Sequence, residues 1–141
     1  MRQKYLYTDR VAIITGAGNG LGKDYALRFA ERGAKVVVND LGKWTDNDGK
    51  EHNRADDVVD EIIAKGGEAV ANYSNVVGGG ESIMKTAMDK WGRVDILVNN
   101  AGIIRDKSFT KMTDESFKFV LDVHIRGTFS LCKAAWPIFL N

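Results

Sequence analysis

The sequence predicts an α/β domain, a parallel sheet with helices on both faces, and three observations carry that prediction. Short apolar runs rich in β-branched residues recur along the chain, a segment of helical periodicity follows each of the earlier ones, and glycines stand at the joints. The runs are Val11-Ala12-Ile13-Ile14-Thr15, Lys35-Val36-Val37-Val38-Asn39-Asp40, the weaker Glu68 to Tyr73, and Val94-Asp95-Ile96-Leu97-Val98-Asn99. Near-continuous apolar strands are buried on both faces, as in parallel sheets, whereas strands with one wet face alternate.

Taken in order, the first strand ends in glycines, and from Leu21 the spacing of Tyr25, Leu27, Phe29 and Ala30 is helical. Gly33 stands where a helix C-terminal glycine belongs, and the second strand completes a βαβ unit. From Leu41 to Asn53 the chain is polar and irregular; its part from Lys43 to Asn53 reads as a solvated insertion, with part of a substrate or CoA entrance as the alternative. Val58, Val59, Ile62 and Ile63 mark a second helix that stops at Gly66-Gly67, before the third strand. Ile83, Met84, Ala87, Met88 and Trp91 mark a third helix, which leads into the fourth strand. Thr113 is the expected N-cap of a long helix running from Asp114 through Phe117, Val120, Leu121, Ile125, Phe129 and Ala135 towards Pro137. Trp91 and Trp136 read as packing residues, Cys132 as an inert buried thiol, and Arg105 and Asp106 as a surface ion pair or a substrate contact.

Right-handed crossovers turn this order into a sheet with strands arranged 3-2-1-4, which is half of a doubly wound, Rossmann-type sheet. The fourth strand then lies at an open edge, to be covered by further chain or by a partner. The bulk numbers agree with one domain: 141 residues, 44% hydrophobic, 28% charged and a formal charge of +1 give no basic or acidic surplus to attract nucleic acid or a membrane surface. A single cysteine excludes an intramolecular disulfide, and His52 and His124 have no companions at metal-ligand spacing. Met1 to Arg10 is polar, and no apolar run approaches the length of a membrane span.

The chemistry lies in Thr15-Gly16-Ala17-Gly18-Asn19-Gly20-Leu21-Gly22, between the first strand and its helix. Gly16 permits a tight turn, Gly20 lets backbone approach a pyrophosphate, and Gly22 lets helix pack closely on strand. The helix N-terminus, with Asn19 and Leu21 beside it, offers free N–H groups to phosphates. Asp40, at the end of the second strand, is placed to hold a ribose 2′-hydroxyl, and its charge would repel a 2′-phosphate, so NAD is expected over NADP.

This glycine pattern, Asp40 and the segment Asn99-Asn100-Ala101-Gly102 together resemble the short-chain dehydrogenase/reductase family over nearly the whole chain. The resemblance implies that Asn99, Ala101 and Gly102 neighbour the NAD, and that Asn75-Val76 stands where the family commonly has Asp-Val at the adenine. Within the family, Val36 to Gly42, Asn100 to Asp106, Asp122-Val123-His124-Ile125-Arg126-Gly127 and Ala134 to Pro137 are similar to the dehydrogenase domain of peroxisomal multifunctional β-oxidation enzymes. That similarity implies oxidation of (3R)-hydroxyacyl-CoA to 3-ketoacyl-CoA, an acyl-CoA substrate, a peroxisomal location and a homo-oligomer.

The family's chemistry also needs a serine and a Tyr-x-x-x-Lys pair, and no tyrosine here has a lysine four residues later. The sequence therefore reads as one NAD-binding domain, residues 1–141, the N-terminal part of such an enzyme and inactive alone. The alternatives are a non-catalytic binder of NAD or a CoA ester, and one chain of a two-chain assembly. His124 occupies the position of the family's helix asparagine and is the candidate for a proton relay; a packed, hydrogen-bonded histidine is the alternative.

Overall fold

A computed structural model describes residues 6–140; Met1 to Tyr5, and with them half of the polar leader read above, lie outside the described residues, as does Asn141. The elements are β1 (Val11–Thr15), α1 (Gly20–Glu31), β2 (Lys35–Asn39), β3 (Lys43–Thr45), β4 (Glu51–Asn53), α2 (Arg54–Ala64), β5 (Glu68–Asn72), α3 (Gly80–Trp91), β6 (Ile96–Val98), α4 (Asp114–Leu121) and α5 (Gly127–Phe139). A 3₁₀ turn, Phe109–Lys111, precedes α4, and a π-helical turn, Asp122–Arg126, joins α4 to α5.

The main sheet is parallel with order β5-β2-β1-β6, which is the expected 3-2-1-4 arrangement. Each residue of β1 is fully buried, and Ile13 pairs with Val37 on one side and Leu97 on the other. Alternation sorts its side chains between two cores. Val11 and Ile13 join Val37 against Ile83, Met84 and Ala87 of α3 and Leu131 and Ala135 of α5. Ala12 and Ile14 join Val36 and Val38 against Ala26 of α1 and Ala55, Val58 and Ile62 of α2. Burying one Ile or Val side chain is worth about 1.5–3 kcal/mol, so this central strand anchors the fold.

Glycines set the helix positions where a Cβ has no room. At Gly80 a Cβ would overlap the Ser130 carbonyl, so α3 and α5 touch backbone to backbone. Gly33 takes φ 91°, and its amide bonds to the Ala30 carbonyl at 2.9 Å, as the sequence reading expected of a helix C-terminal glycine.

Five expectations are corrected. The segment from Leu41 to Asn53 is not irregular: β3 and β4 form an antiparallel hairpin with Trp44 opposite His52. Its cross-strand contacts are polar, with Lys43 Nζ 2.6 Å from Glu51 on the diagonal and the Trp44 and His52 rings, directly opposite, stacked 4.6 Å apart, so no apolar alternation betrays it. The long helix is interrupted by the π turn. Cys132 is exposed, and Trp136, one turn on, is 63% exposed; the buried residues of α5 beside them are Leu131 and Ala135. Arg105 and Asp106 form no ion pair among the described residues; Arg105 lies over the Phe119 ring, 5.3 Å from its centroid.

At the amino end of the sheet, Asp95 ties β1 to the segment before β6. Its carboxylate accepts from the Val11 amide at 2.8 Å, from Arg10 at 3.0 Å and from Arg93 at 2.5 Å, and Arg93 chiefly holds its pKa at about 2. A carboxyl depressed in the folded state stabilises it above the unfolded pKa of about 3.9 and loses that contribution as pH falls towards 2. Asp95→Asn is therefore expected to cost about 1–2 kcal/mol at pH 7, after discounting for solvent at the arginines, and almost nothing near pH 2. Urea unfolding at the two pH values checks this.

Candidate functional site

Strand order reverses between β1 and β6, and at such a switch point the carboxyl ends of the strands diverge to leave a crevice. The walls of this crevice are tied together by side chains of Thr15 and Asn100. The Thr15 hydroxyl accepts from the Asn100 and Ala101 amides at 3.1 and 3.0 Å, and Asn100 Nδ2 donates to the carbonyls of Thr15 at 3.0 Å and Gly16 at 3.2 Å. The glycine turn after β1 and the segment after β6 are thus one rigid body.

Within the turn, Gly16 and Gly20 take φ +61° and +54°, where side chains are strained. A Cβ on Gly16 would lie 2.9 Å from Ala101 Cα, and one on Gly22 would overlap the Gly16 carbonyl oxygen. At Gly20, by contrast, nothing stands within 4 Å of a Cβ position. The two glycines have different work: Gly22 is excluded from carrying a side chain by protein, and Gly20 faces open space.

The α1 N-terminus differs from its neighbours in charge. Its N-cap, Asn19, makes no side-chain capping bond, and the first turn holds no acid. The first turn of α2 carries Asp56 and Asp57, that of α3 Glu81, and that of α4 Asp114 and Glu115, where Thr113 also caps by accepting from the Ser116 amide as expected. The partial positive charge of α1 is therefore left for something else to neutralise.

Asp40 faces this turn. One carboxylate oxygen accepts from the Gly18 amide at 2.8 Å and the other from the Gly42 amide at 2.6 Å, which leaves lone pairs on both oxygens. A Cβ on Gly18 would lie 2.8 Å from the Asp40 carboxyl carbon, so a glycine the sequence reading passed over is what admits the carboxylate. Gly16, Asp40, Asn75, Val76, Ala101 and Gly102 share the lining of a cavity of about 210 Å³ at the carboxyl ends of the strands. A larger hollow of about 660 Å³ lies by Met88, Arg93, Asp95 and Phe139, at the amino end of β6, with no glycine turn beside it.

Of the other residues singled out from sequence, Asn19, Gly20 and Leu21 are exposed at the start of α1, Leu21 at 67%. Gly22 is buried beneath them. Asn75 Oδ1 accepts from the Val77 amide at 2.9 Å. Asn99 is exposed and turned towards α5, its amide 3.5 Å from Cys132 Sγ, while its neighbour Asn100 does the tying. His124 lies in the π turn, and its Nε2 is 3.1 Å from the Ile103 amide and 3.0 Å from the Ile103 carbonyl. Whichever tautomer forms, Nε2 is engaged with Ile103 and Nδ1 is the ring nitrogen left over. Gly102 makes room for the ring, since a Cβ there would lie 2.7 Å from His124 Cε1. Thr15, Gly18, Asn39 and Asn100 are the site residues that sequence reasoning missed.

The short chain dehydrogenase family model matches residues 10–141. The chain belongs to the short chain dehydrogenase family. This is a family of oxidoreductases that take NAD or NADP. A solved short chain dehydrogenase from Mycobacterium avium superposes with a TM-score of 0.86 at 43% identity, over 95% of this chain and 47% of that one. The peroxisomal hydratase-dehydrogenase-epimerase of Saccharomyces cerevisiae is 58% identical over 131 residues, 93% of this chain and 15% of that protein. The peroxisomal multifunctional enzyme type 2 of Drosophila melanogaster is 55% identical over 95% of this chain and 22% of its own length. The full-length structure of the Drosophila enzyme superposes with a TM-score of 0.73. The chain thus spans less than a quarter of the length of these two multifunctional relatives.

The contrast between the two glycines is testable. Gly22→Ala is expected to cost about 3 kcal/mol, since backbone must move. Gly20→Ala should cost about 1–2 kcal/mol from its positive φ alone. Thermal melts of both variants, read by circular dichroism, check the order.

Proposed function

We propose that residues 1–141 form the NAD-binding unit of a dehydrogenase that oxidises (3R)-hydroxyacyl-CoA to 3-ketoacyl-CoA in peroxisomal fatty-acid β-oxidation. One observation carries the cofactor reading: the Asp40 carboxylate is held against the glycine turn with lone pairs to spare, beside an α1 N-terminus that no acid neutralises. NAD, when bound, supplies the hydride acceptor for oxidation of a secondary alcohol. The residues fit it. Gly20 opens onto the space that a pyrophosphate needs, Asp40 accepts from the ribose hydroxyls and repels a 2′-phosphate, and Asn75 and Val76 border the adenine end. Ala101 and Gly102 pass on the opposite wall, held there by Thr15 and Asn100. The compartment rests on the names of the relatives, both peroxisomal, and the substrate class on the resemblance of the Val36 to Gly42, Asn100 to Asp106 and Asp122 to Gly127 segments.

Among the described residues the proton step has one candidate group, His124, acting through Nδ1 as part of a relay. Tyr73 is unsuited to it: hydrogen bonding to Asp56 pushes its hydroxyl up to about 12, away from the range of a proton donor at neutral pH. The serine and the Tyr-x-x-x-Lys pair of the family would come from outside these residues. The exposed Phe117, Ile125, Phe129 and Trp136 on α4 to α5, and the β6 edge, suit a homo-oligomer or a covering segment.

Calorimetric titration with NAD and NADP tests the cofactor reading. NAD is expected to bind more tightly, and Asp40→Ala should weaken NAD by about 10- to 100-fold while narrowing its advantage over NADP. Tighter binding of NADP by the unaltered chain would overturn it.

A further inference from the structure

After Lys35, β2 is apolar up to its last residue, and that residue is an amide. Asn39 is 2% exposed, between Val38 and the Asp40 carboxylate, in a strand whose burial on both faces suits Val or Ile. An amide survives such burial only if its N–H groups are bonded. Asn39 Nδ2 donates to Asn72 Oδ1 at 2.8 Å and to the Ser74 carbonyl at 2.9 Å, so both hydrogens are used.

Asn72, 7% exposed at the end of β5, extends the network. Its Oδ1 also accepts from the Ser74 amide at 2.9 Å, and its Nδ2 donates to Thr86 Oγ1 on α3 at 2.8 Å. The backbone carbonyl of Asn39 meanwhile accepts from the Ala17 amide at 3.0 Å. One residue thus holds the glycine turn through its main chain and the loop after β5 through its side chain. These are facing walls of the 210 Å³ cavity, which Gly16 lines on one side and Ser74, Asn75 and Val76 on the other. Besides these bonds the loop is held at its far end by Val76, 6% exposed in the core beside Val123, while Tyr73 to Asp56 and Ser74 Oγ to Ser82 Oγ at 2.8 Å are exposed bonds that water replaces at little cost.

We propose that Asn39 is a positioning residue that sets the width of the adenosine end of this cavity by clamping the Ser74–Val76 loop to β2. The proposal rests on the NAD reading for its ligand, but the clamp itself is a property of the chain. It predicts that the loop loosens when the amide is removed although the sheet does not.

Asn39→Ser removes both amide N–H groups and leaves a hydroxyl that can find its own partner. Hydrogen exchange on the 141-residue chain at 10 °C is expected to show the amides of residues 74–77 exchanging at least tenfold faster, with the β1 and β2 amides unchanged. Unchanged exchange at 74–77, or equal acceleration throughout the sheet, would overturn the proposal. Under the same conditions, with both proteins fully folded, AMP and NAD are expected to weaken by the same factor, about tenfold, because the loss is confined to the adenosine half. An unaltered affinity for AMP would also overturn it. Failure of the unaltered chain to bind either nucleotide would sink the NAD reading, and the exchange measurement would then decide the clamp alone.

Discussion

The carboxyl end of β1 is where this structure is most constrained, because three segments must converge there without a side chain's width between them. The Gly16 carbonyl lies where a Cβ of Gly22 would stand, the Gly16 α-carbon faces Ala101, and the Thr15 hydroxyl is saturated by Asn100 and Ala101. The two glycine contacts are backbone to backbone, so rotamer changes cannot relieve them. They are affordable because β1 is completely buried and paired on both sides, which fixes the strand end from which the turn departs. The crevice beside β1 is thus a consequence of sheet topology, and its dimensions follow from two glycines, Gly16 and Gly22, and two polar side chains, Thr15 and Asn100.

Electrostatics follow from the same placement. The other helices that begin near strand or loop ends carry acids in their first turn, a local stabilisation worth about 0.3–1 kcal/mol each. α1 forgoes it, and the carboxylate that faces the glycine turn, Asp40, accepts from the Gly18 and Gly42 amides and not from the helix end. A site that leaves donors free at one end and fixes an acceptor at the other is suited to a ligand with a phosphate and a hydroxylated sugar at that separation. The stability lost is small beside the burial of β1.

Strands buried on both faces announce themselves by composition, which is why Val11–Thr15 and Lys35–Asn39 were legible to within a residue, and why the order of the sheet followed. The β3–β4 hairpin was not, since its pairs are Lys43 with Asn53, Trp44 with His52 and Thr45 with Glu51, polar on both strands. A signal was present in Asp46-Asn47-Asp48-Gly49, a turn-rich stretch between Trp44-Thr45 and His52, with Asp46 accepting from His52 and from the Asp48 and Lys50 amides. Asn99 drew notice in place of Asn100 because a motif names residues without saying which way each side chain points. Asn39 was visible as a polar residue ending an apolar strand, but its partners lie 33 and 35 residues away, beyond any local pattern. The apolar spacing of the last helix gave its existence and not its environment, so Cys132 and Trp136 emerged exposed.

Amide chemical-shift mapping of the ¹⁵N-labelled chain during titration with NAD tests the central claim, that the knitted ends of β1, β2, β5 and β6 form the cofactor site. The account predicts that perturbations concentrate at residues 16–22, 39–42, 74–76 and 100–103. Perturbations centred on the hollow between Met88 and Phe139, or none at millimolar NAD, would contradict it.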